Sequence, residues 1–160
     1  MVWKKLVGGS VLSASLLLGG LTPIITEAND IEKSFETDTA VYDLSMKDEI
    51  TSSLVPLEDG GIALAADYTV TSNVKRYLVP PLVSATATSS STTSLDYIEA
   101  TVRAYYDTGG LMGTASDSAK KSSYAGAQYS SGFKFIDMAY GSHVYKNAGY
   151  KDIYHETSTD

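Results

Sequence analysis

Residues 95–110, with the sequence LDYIEATVRAYYDTGG, decide whether the chain is built from helices or from strands. A helix over this stretch would align an apolar stripe that consists of Leu95, Ile98, Val102 and Tyr105. A strand would instead turn every second residue to one face, namely Ile98, Ala100, Val102, Ala104 and Tyr106. The β-branched and aromatic residues favour the strand, because their side chains pack well on a pleated surface. We therefore expect a strand over residues 95–106 and a turn over residues 107–110.

Strand and turn signals also alternate in the middle of the chain. Two apolar runs flank residues 58–61 (EDGG), which tolerate positive φ and are typical of a turn. Period-two alternation then predicts a strand over residues 62–70, a second turn over 71–73 and another strand over 74–79. The Pro-Pro pair that follows should end the pairing, because neither proline has an N–H to donate.

Two further strands are predicted over residues 122–130 and 132–140. The second has apolar side chains on both faces, which suits a central strand that is buried on each side. Short strands with turn signals about every ten residues are typical of a sandwich or a small barrel. The pairs should be antiparallel, because no segment is long enough for a crossover helix. The sequence therefore predicts a mainly β fold, a small antiparallel β-sandwich or barrel-like domain over residues 51–160.

Residues 84–94 (SATATSSSTTS) interrupt this pattern with a low-complexity tract that contains no large side chain. Because such residues bury little apolar area, we expect a solvated loop or linker within the β domain. An O-glycosylated segment is the less favoured alternative for the same tract.

The N-terminus has the three parts of a secretory signal peptide over residues 1–28. Two lysines precede an uncharged stretch over residues 6–25, and TEA at residues 26–28 has the small residues of a cleavage site. A permanent membrane anchor is the competing interpretation, but four glycines and a proline make the stretch a poor membrane helix. Cleavage after residue 28 would leave 132 of the 160 residues. Residues 29–50 would then be a flexible acidic lead-in or a propeptide.

Charge and cysteine content restrict the partners. The net charge is −7, and it becomes −8 when residues 1–28, with two lysines and one glutamate, are removed. Phosphates would repel such a chain, so nucleic acid is excluded as a ligand. The chain has no cysteine, and therefore no disulfide and no thiolate ligand. We expect a bacterial protein that is secreted or associated with the cell wall, without stable membrane insertion after signal cleavage.

Both histidines lie near the C-terminus, in a predicted hairpin with a loop over residues 147–149. In that register His143 faces Ile153, and His143 and His155 are diagonal neighbours on one water-facing side of the sheet. With Asp137 they are the best candidates for a metal site. A zinc site needs three or four ligands, however, and Asp137 would reach the histidines only if the chain bends. We therefore expect an ordinary sheet surface and no cofactor.

Tyrosine is the most abundant aromatic residue, with 12 in the chain. Its ring can stack on a ligand while its hydroxyl forms a hydrogen bond, which suits glycans and proteins alike. Four tyrosines of the C-terminal hairpin are therefore candidate ligand-binding residues: Tyr140, Tyr145, Tyr150 and Tyr154. The competing interpretation is structural, because tyrosines also form cross-strand pairs in sheets.

The sequence contains no Gly-x-Ser-x-Gly elbow, no His-Glu-x-x-His motif and no phosphate-binding glycine loop. We therefore predict a secreted, non-catalytic binding protein whose ligand is an extracellular glycan or protein. One alternative is an antimicrobial or toxin-like protein, although membrane-attacking proteins are often cationic. A second alternative is a small metal-dependent hydrolase that uses His143, His155 and Asp137.

Overall fold

The computed structural model describes residues 34–37, 39–57 and 68–159, and these residues form ten β-strands and no helix. The strands are β1 (Ser34–Glu36), β2 (Ala40–Asp43), β3 (Glu49–Ser53), β4 (Thr69–Tyr77), β5 (Val83–Leu95), β6 (Tyr97–Tyr105), β7 (Leu111–Ala119), β8 (Ser122–Gly132), β9 (Met138–Lys146) and β10 (Asp152–Thr159). One sheet has six strands in the order β1-β2-β10-β9-β6-β7, and the other has four in the order β3-β4-β5-β8. The predicted mainly β class is therefore confirmed.

The core lies between the two sheets and is formed by alternate residues of their strands. In β6 the inward residues are Ile98, Ala100, Val102 and Ala104, and all four are fully buried. The strand predicted over residues 95–106 is thus confirmed over residues 97–105, and the helical alternative is wrong. The sheets do not close into a barrel, but β7 and β8 approach each other at one edge. There the backbone N–H of Gly126 donates to the Asp117 carboxylate at 2.9 Å.

The expected solvated linker over residues 84–94 is wrong, because these residues belong to β5. This strand pairs with β4 on one side and with β8 on the other, so it is internal to its sheet. Ala85, Ala87 and Ser89 point inward and are fully buried. Small side chains suit this position, because they leave room for larger residues of the opposite sheet. The backbone of this tract is buried because it lies between two neighbouring strands. A prediction of burial from side-chain size alone misses this.

Two local predictions also fail. The turn predicted over residues 71–73 lies inside β4, and the strand predicted over 132–140 starts only at Met138. The residues before it form an exposed loop, in which Phe133 is 76% and Phe135 is 65% exposed. Apolar residues therefore alternate with period two in the loop before β9, although it is not a strand. The polar residues 71–73 belong to β4, although they do not show this alternation. The turn at residues 107–110 and the strand over 122–130 are confirmed.

The N-terminal predictions have mixed outcomes. The expected flexible lead-in over residues 29–50 contains β1, β2 and the start of β3 where the structure describes it. β2 runs parallel to β10, so the expectation of purely antiparallel pairing is wrong as well. The predicted signal peptide over residues 1–28 and most of the strand over 62–70 lie outside the described residues. Cleavage and the propeptide stay predictions.

The position of β5 predicts a large difference between two substitutions in the serine- and threonine-rich tract. Ala87→Asp would place a carboxylate in the core, so we expect a loss of about 3 kcal/mol or more in the free energy of unfolding. Ser94→Asp, at an exposed position of the same strand, should change it by less than about 0.5 kcal/mol. Urea unfolding of both variants measures this. Equal tolerance of the two charges would contradict an internal strand.

Candidate functional site

The two histidines lie directly opposite each other on β9 and β10, and both side chains point into the core. Each is 1% exposed. The prediction that both histidine side chains lie on one face of the sheet is confirmed. The predictions that this face is exposed to water and that His143 pairs with Ile153 are wrong. The register differs because the connecting loop is longer than expected: Tyr150 bridges to Pro56, and the Lys151 N–H donates to the Val55 carbonyl at 2.7 Å.

His155 lies at the centre of a chain of hydrogen bonds that crosses between the sheets. Its Nδ1 is 2.8 Å from Ser72 Oγ, and its Nε2 is 2.9 Å from Ser52 Oγ. Ser72 Oγ is also 2.7 Å from the Tyr145 hydroxyl, which donates to the Thr71 carbonyl at 2.9 Å. Because the Tyr145 proton is used by that carbonyl, Ser72 donates to Tyr145 and accepts from His155 Nδ1–H. His155 Nε2 then accepts from Ser52, so the imidazole is neutral with its proton on Nδ1.

His143 forms a similar chain one strand away. Its Nδ1 is 2.9 Å from Ser89 Oγ, which donates to the Glu99 carbonyl at 2.6 Å, so Nδ1 carries the proton. Its Nε2 is 2.9 Å from Thr157 Oγ1 and accepts from that hydroxyl. A side chain at Gly141 would collide with this pair, because an added Cβ would lie 2.4 Å from Thr157 Oγ1 and 2.6 Å from His143 Nε2. Gly141 therefore makes room for the hydrogen bond.

Burial keeps this network uncharged. Desolvation lowers the pKa of His143 to about 3, with a further contribution from the neighbouring His155. Desolvation also lowers the pKa of His155 to about 4, against a small opposing effect of Asp43. Burial raises the pKa of Tyr145 to about 12. Among the described residues, no buried polar side-chain atom lacks a hydrogen-bond partner. The network is thus a neutral, satisfied structural element.

The Ser–His contacts have the composition of nucleophile–base pairs, but the imidazole of each is buried. A metal site is not assembled either. Asp137 is exposed in the loop between β8 and β9, so it does not join the histidines. Within the described ranges no three His, Asp or Glu residues are grouped so that they could hold a metal ion.

The four candidate tyrosines have three different environments. Tyr145 is fully buried in the core and cannot contact a ligand. Tyr150 is half-buried in the loop after β9, where its ring packs against Tyr68 with centroids 6.2 Å apart. Tyr140 and Tyr154 lie on the outer side of the six-stranded sheet, because their neighbours in sequence are the buried ones. Only these last two share a surface.

Three further tyrosines, Tyr42, Tyr97 and Tyr105, lie on the same surface. We call these three together with Tyr140 and Tyr154 the tyrosine face. All five are half-buried. Tyr42 stacks on Tyr154 with ring centroids 4.9 Å apart, and Tyr105 meets Tyr140 edge to face at 5.4 Å. Tyr42 could not be found from the sequence because its segment was expected to be flexible. Tyr97 and Tyr105 follow from the alternation in β6, which assigns them to the face opposite the core.

Polar groups lie between the rings. Lys146 Nζ donates to the Asp152 carboxylate at 2.6 Å and to the Tyr154 hydroxyl at 3.0 Å, and these hydrogen bonds raise the pKa of Lys146. The Tyr97 hydroxyl donates to the Glu99 carboxylate, which raises the pKa of Tyr97. The tyrosine face therefore combines aromatic rings with one ion pair, Lys146–Asp152, and with a carboxylate that accepts from a phenol.

The buried histidines predict a loss of stability in mild acid. In the unfolded chain each imidazole has a pKa of about 6.5, whereas the folded values are about 3 and about 4. Below about pH 6.5 the unfolded state binds more protons, so the free energy of unfolding falls by about 1.4 kcal/mol per pH unit for each histidine. The loss continues down to the folded pKa values. Urea unfolding between about pH 7 and pH 4.5 measures the slope, and an imidazole that titrates near pH 6.5 in NMR spectra of the folded protein would refute it.

Ser72→Ala should destabilise the protein by about 1–3 kcal/mol, because it leaves His155 Nδ1–H without an acceptor and Tyr145 without a donor. Ser123→Ala is the matched control, since Ser123 is exposed on β8 and should change stability by less than about 0.5 kcal/mol. Thermal and urea unfolding compare the two variants. A Ser72→Ala protein as stable as the control would show that the network contributes nothing.

No protein-family model matches the chain, and neither a curated protein nor a solved structure is detectably similar to it. In the part of the chain that the structure describes, no helix is long and apolar enough to cross a bilayer. Among the surfaces of the described residues, the tyrosine face is the candidate ligand site.

Proposed function

We propose that the protein is an exported, non-catalytic binding protein that uses the tyrosine face to bind a glycan of the cell envelope. Export is supported by the pattern of residues 1–28, with its basic start, apolar middle and small residues at 26–28. The observation that carries the binding function is the collection of five half-buried tyrosines on one side of a single sheet.

The arrangement of the rings supports an extended ligand. Tyr154 lies opposite Tyr42 across one strand pair, whereas Tyr140 lies opposite Ser158, four residues further along β10. The Tyr42–Tyr154 pair forms one tyrosine row and the Tyr105–Tyr140 pair forms the other. At about 3.4 Å per residue, Tyr154 and Tyr140, and with them the two rows, are about 14 Å apart along the strands. A ligand that contacts both rows is therefore longer than a single sugar ring. Rigid rings also bind with little loss of side-chain entropy.

The groups between the rows favour a hydroxyl-rich ligand. Ser142 of β9 pairs with Glu156 and Thr101, and Thr101 pairs in turn with Ser116, so hydroxyl side chains run across the sheet. The Thr101 and Ser116 hydroxyls are 2.8 Å apart. The Lys146 and Asp152 charges neutralise each other locally. Glycans offer apolar ring faces for stacking and hydroxyls for hydrogen bonds, which is the chemistry of this surface.

The absence of catalysis is part of the proposal. It is supported by the burial of both histidines, which are the groups best suited to acid–base chemistry at neutral pH. Their hydrogen bonds occupy both ring nitrogens, so neither is available to a substrate.

Binding to purified cell-wall glycan tests the proposal. Tyr140→Ala combined with Tyr154→Ala should weaken binding to peptidoglycan or wall polysaccharide roughly 30-fold, since each ring contributes about 1 kcal/mol. The matched control is Tyr124→Ala. Tyr124 is 56% exposed on β8 of the other sheet, so its removal should leave binding unchanged.

Sedimentation with protease-treated walls separates glycan from protein ligands. Retention of the wild type on these walls, and its loss in the double variant, is the expected result. Equal retention of all variants would place the ligand elsewhere on the molecule. No retention on any wall fraction would overturn the glycan proposal.

A further inference from the structure

The large exposed apolar side chains concentrate at one end of the described structure. We call this group the apolar end: Leu78, Val79, Leu82, Phe133 and Phe135. Their exposure ranges from 41% for Leu78 to 76% for Phe133. An exposed cluster of this kind is unusual on a protein that is isolated in water and marks a surface that contacts something else.

The cluster is formed by two loops that the sheet pairing holds side by side. One loop joins β4 to β5 and the other joins β8 to β9, and Val83 at the start of β5 pairs with Gly132 at the end of β8. Arg76 Nη1 donates to the Ile136 carbonyl at 3.3 Å and connects the two. The loops also satisfy part of their own backbone, since the Leu82 N–H donates to the Val79 carbonyl at 2.8 Å.

The opposite end of the sheets has a different chemistry. Its turns include Asp96, between β5 and β6, and the Lys120–Lys121 turn between β7 and β8. Lys121 and Asp96 form an ion pair there. These two turns contain no large apolar side chain, so exposed apolar side chains are not a general property of the turns.

A cleft of about 350 Å³ opens between the loops of the apolar end and the turn that joins β6 to β7. Leu78 and Phe135 line it together with four polar residues, Arg76, Tyr106, Asp107 and Asp137. The cleft thus offers one guanidinium, two carboxylates and a phenol ring beside exposed apolar side chains. This set complements a group that carries both a phosphate and an ammonium, because the guanidinium binds phosphate and the carboxylates and ring bind the cation.

We propose that the apolar end docks on the surface of a phospholipid bilayer, with the loops in the interface and a zwitterionic headgroup in the cleft. Apolar side chains at loop tips enter the boundary between headgroups and acyl chains without spanning the bilayer. The mixed charges of the cleft and the net charge of −7 both disfavour a strongly anionic surface. A phosphatidylcholine or phosphatidylethanolamine surface fits them. This contact is separate from the tyrosine face and does not depend on glycan binding.

A fluorescent reporter in the loop tests the docking. In the full chain with Trp3→Phe, Phe133→Trp places the single tryptophan in the β8–β9 loop, and Tyr124→Trp places it on β8 as the matched control. With vesicles of phosphatidylcholine and phosphatidylethanolamine, the Phe133→Trp protein should show a blue shift and quenching by brominated lipid. The control should show neither, although both proteins carry the same N-terminal residues. No quenching in the loop, or equal quenching at the two positions, overturns the proposal.

Removal of the rings gives the second measurement. Phe133→Ala combined with Phe135→Ala should lower the partition coefficient onto the same vesicles by about tenfold or more. A single phenylalanine ring that is fully inserted already raises this coefficient more than about tenfold. Both residues are exposed, so the melting temperature should stay unchanged. Binding that requires anionic lipid would overturn the zwitterionic headgroup. A concentration-dependent dimer that the double variant abolishes, without vesicle binding, would assign the surface to self-association instead.

Discussion

The hydrogen-bonded network of His143, Tyr145 and His155 with serines of the opposite sheet is the constraint on which the rest of the structure depends. Buried polar groups are tolerated only when each finds a partner, so the strands that carry these residues have one register and one relative position. A slip of one residue would move His143 to the outer side if it occurred in β9, and His155 if it occurred in β10. The same alternation that fixes the histidines inward fixes Tyr140 and Tyr154 outward, so the interior determines the composition of the tyrosine face.

Part of this arrangement could be predicted from the sequence, and the failures have physical causes. The alternation in β6 was sufficient to assign a strand, because its small and branched apolar residues repeat every second position. β5 was missed because alanine and serine bury little area each, although a strand made of them allows large residues across the interface to fit. The pairing of the histidines depends on the length of one loop, which is set by its contacts with residues 55–56 and has no local signal. Phe133 and Phe135 alternate as a strand would, but lie in a loop.

The tyrosine face and the apolar end lie on different parts of the same scaffold. The first is the flat side of the six-stranded sheet, and the second is formed by loops at the ends of strands of the four-stranded sheet. Flat sheet faces hold rings at fixed spacings, which suits a rigid polar ligand. Loop tips project individual side chains, which suits a fluid interface. With the two proposed contacts together, the protein would lie between a membrane surface and the glycan above it.

The parallel pairing of β2 with β10 has a consequence for the order of assembly. β10 lies between β2 and β9, so the six-stranded sheet remains in two separate pieces until residues 152–159 have been synthesised. Contacts between segments that are more than 100 residues apart form slowly, because a long loop has to close first. The six-stranded sheet of a nascent chain is therefore incomplete for most of translation. That delay would suit the proposed export, in which the chain passes through a narrow channel before the last strand closes the sheet.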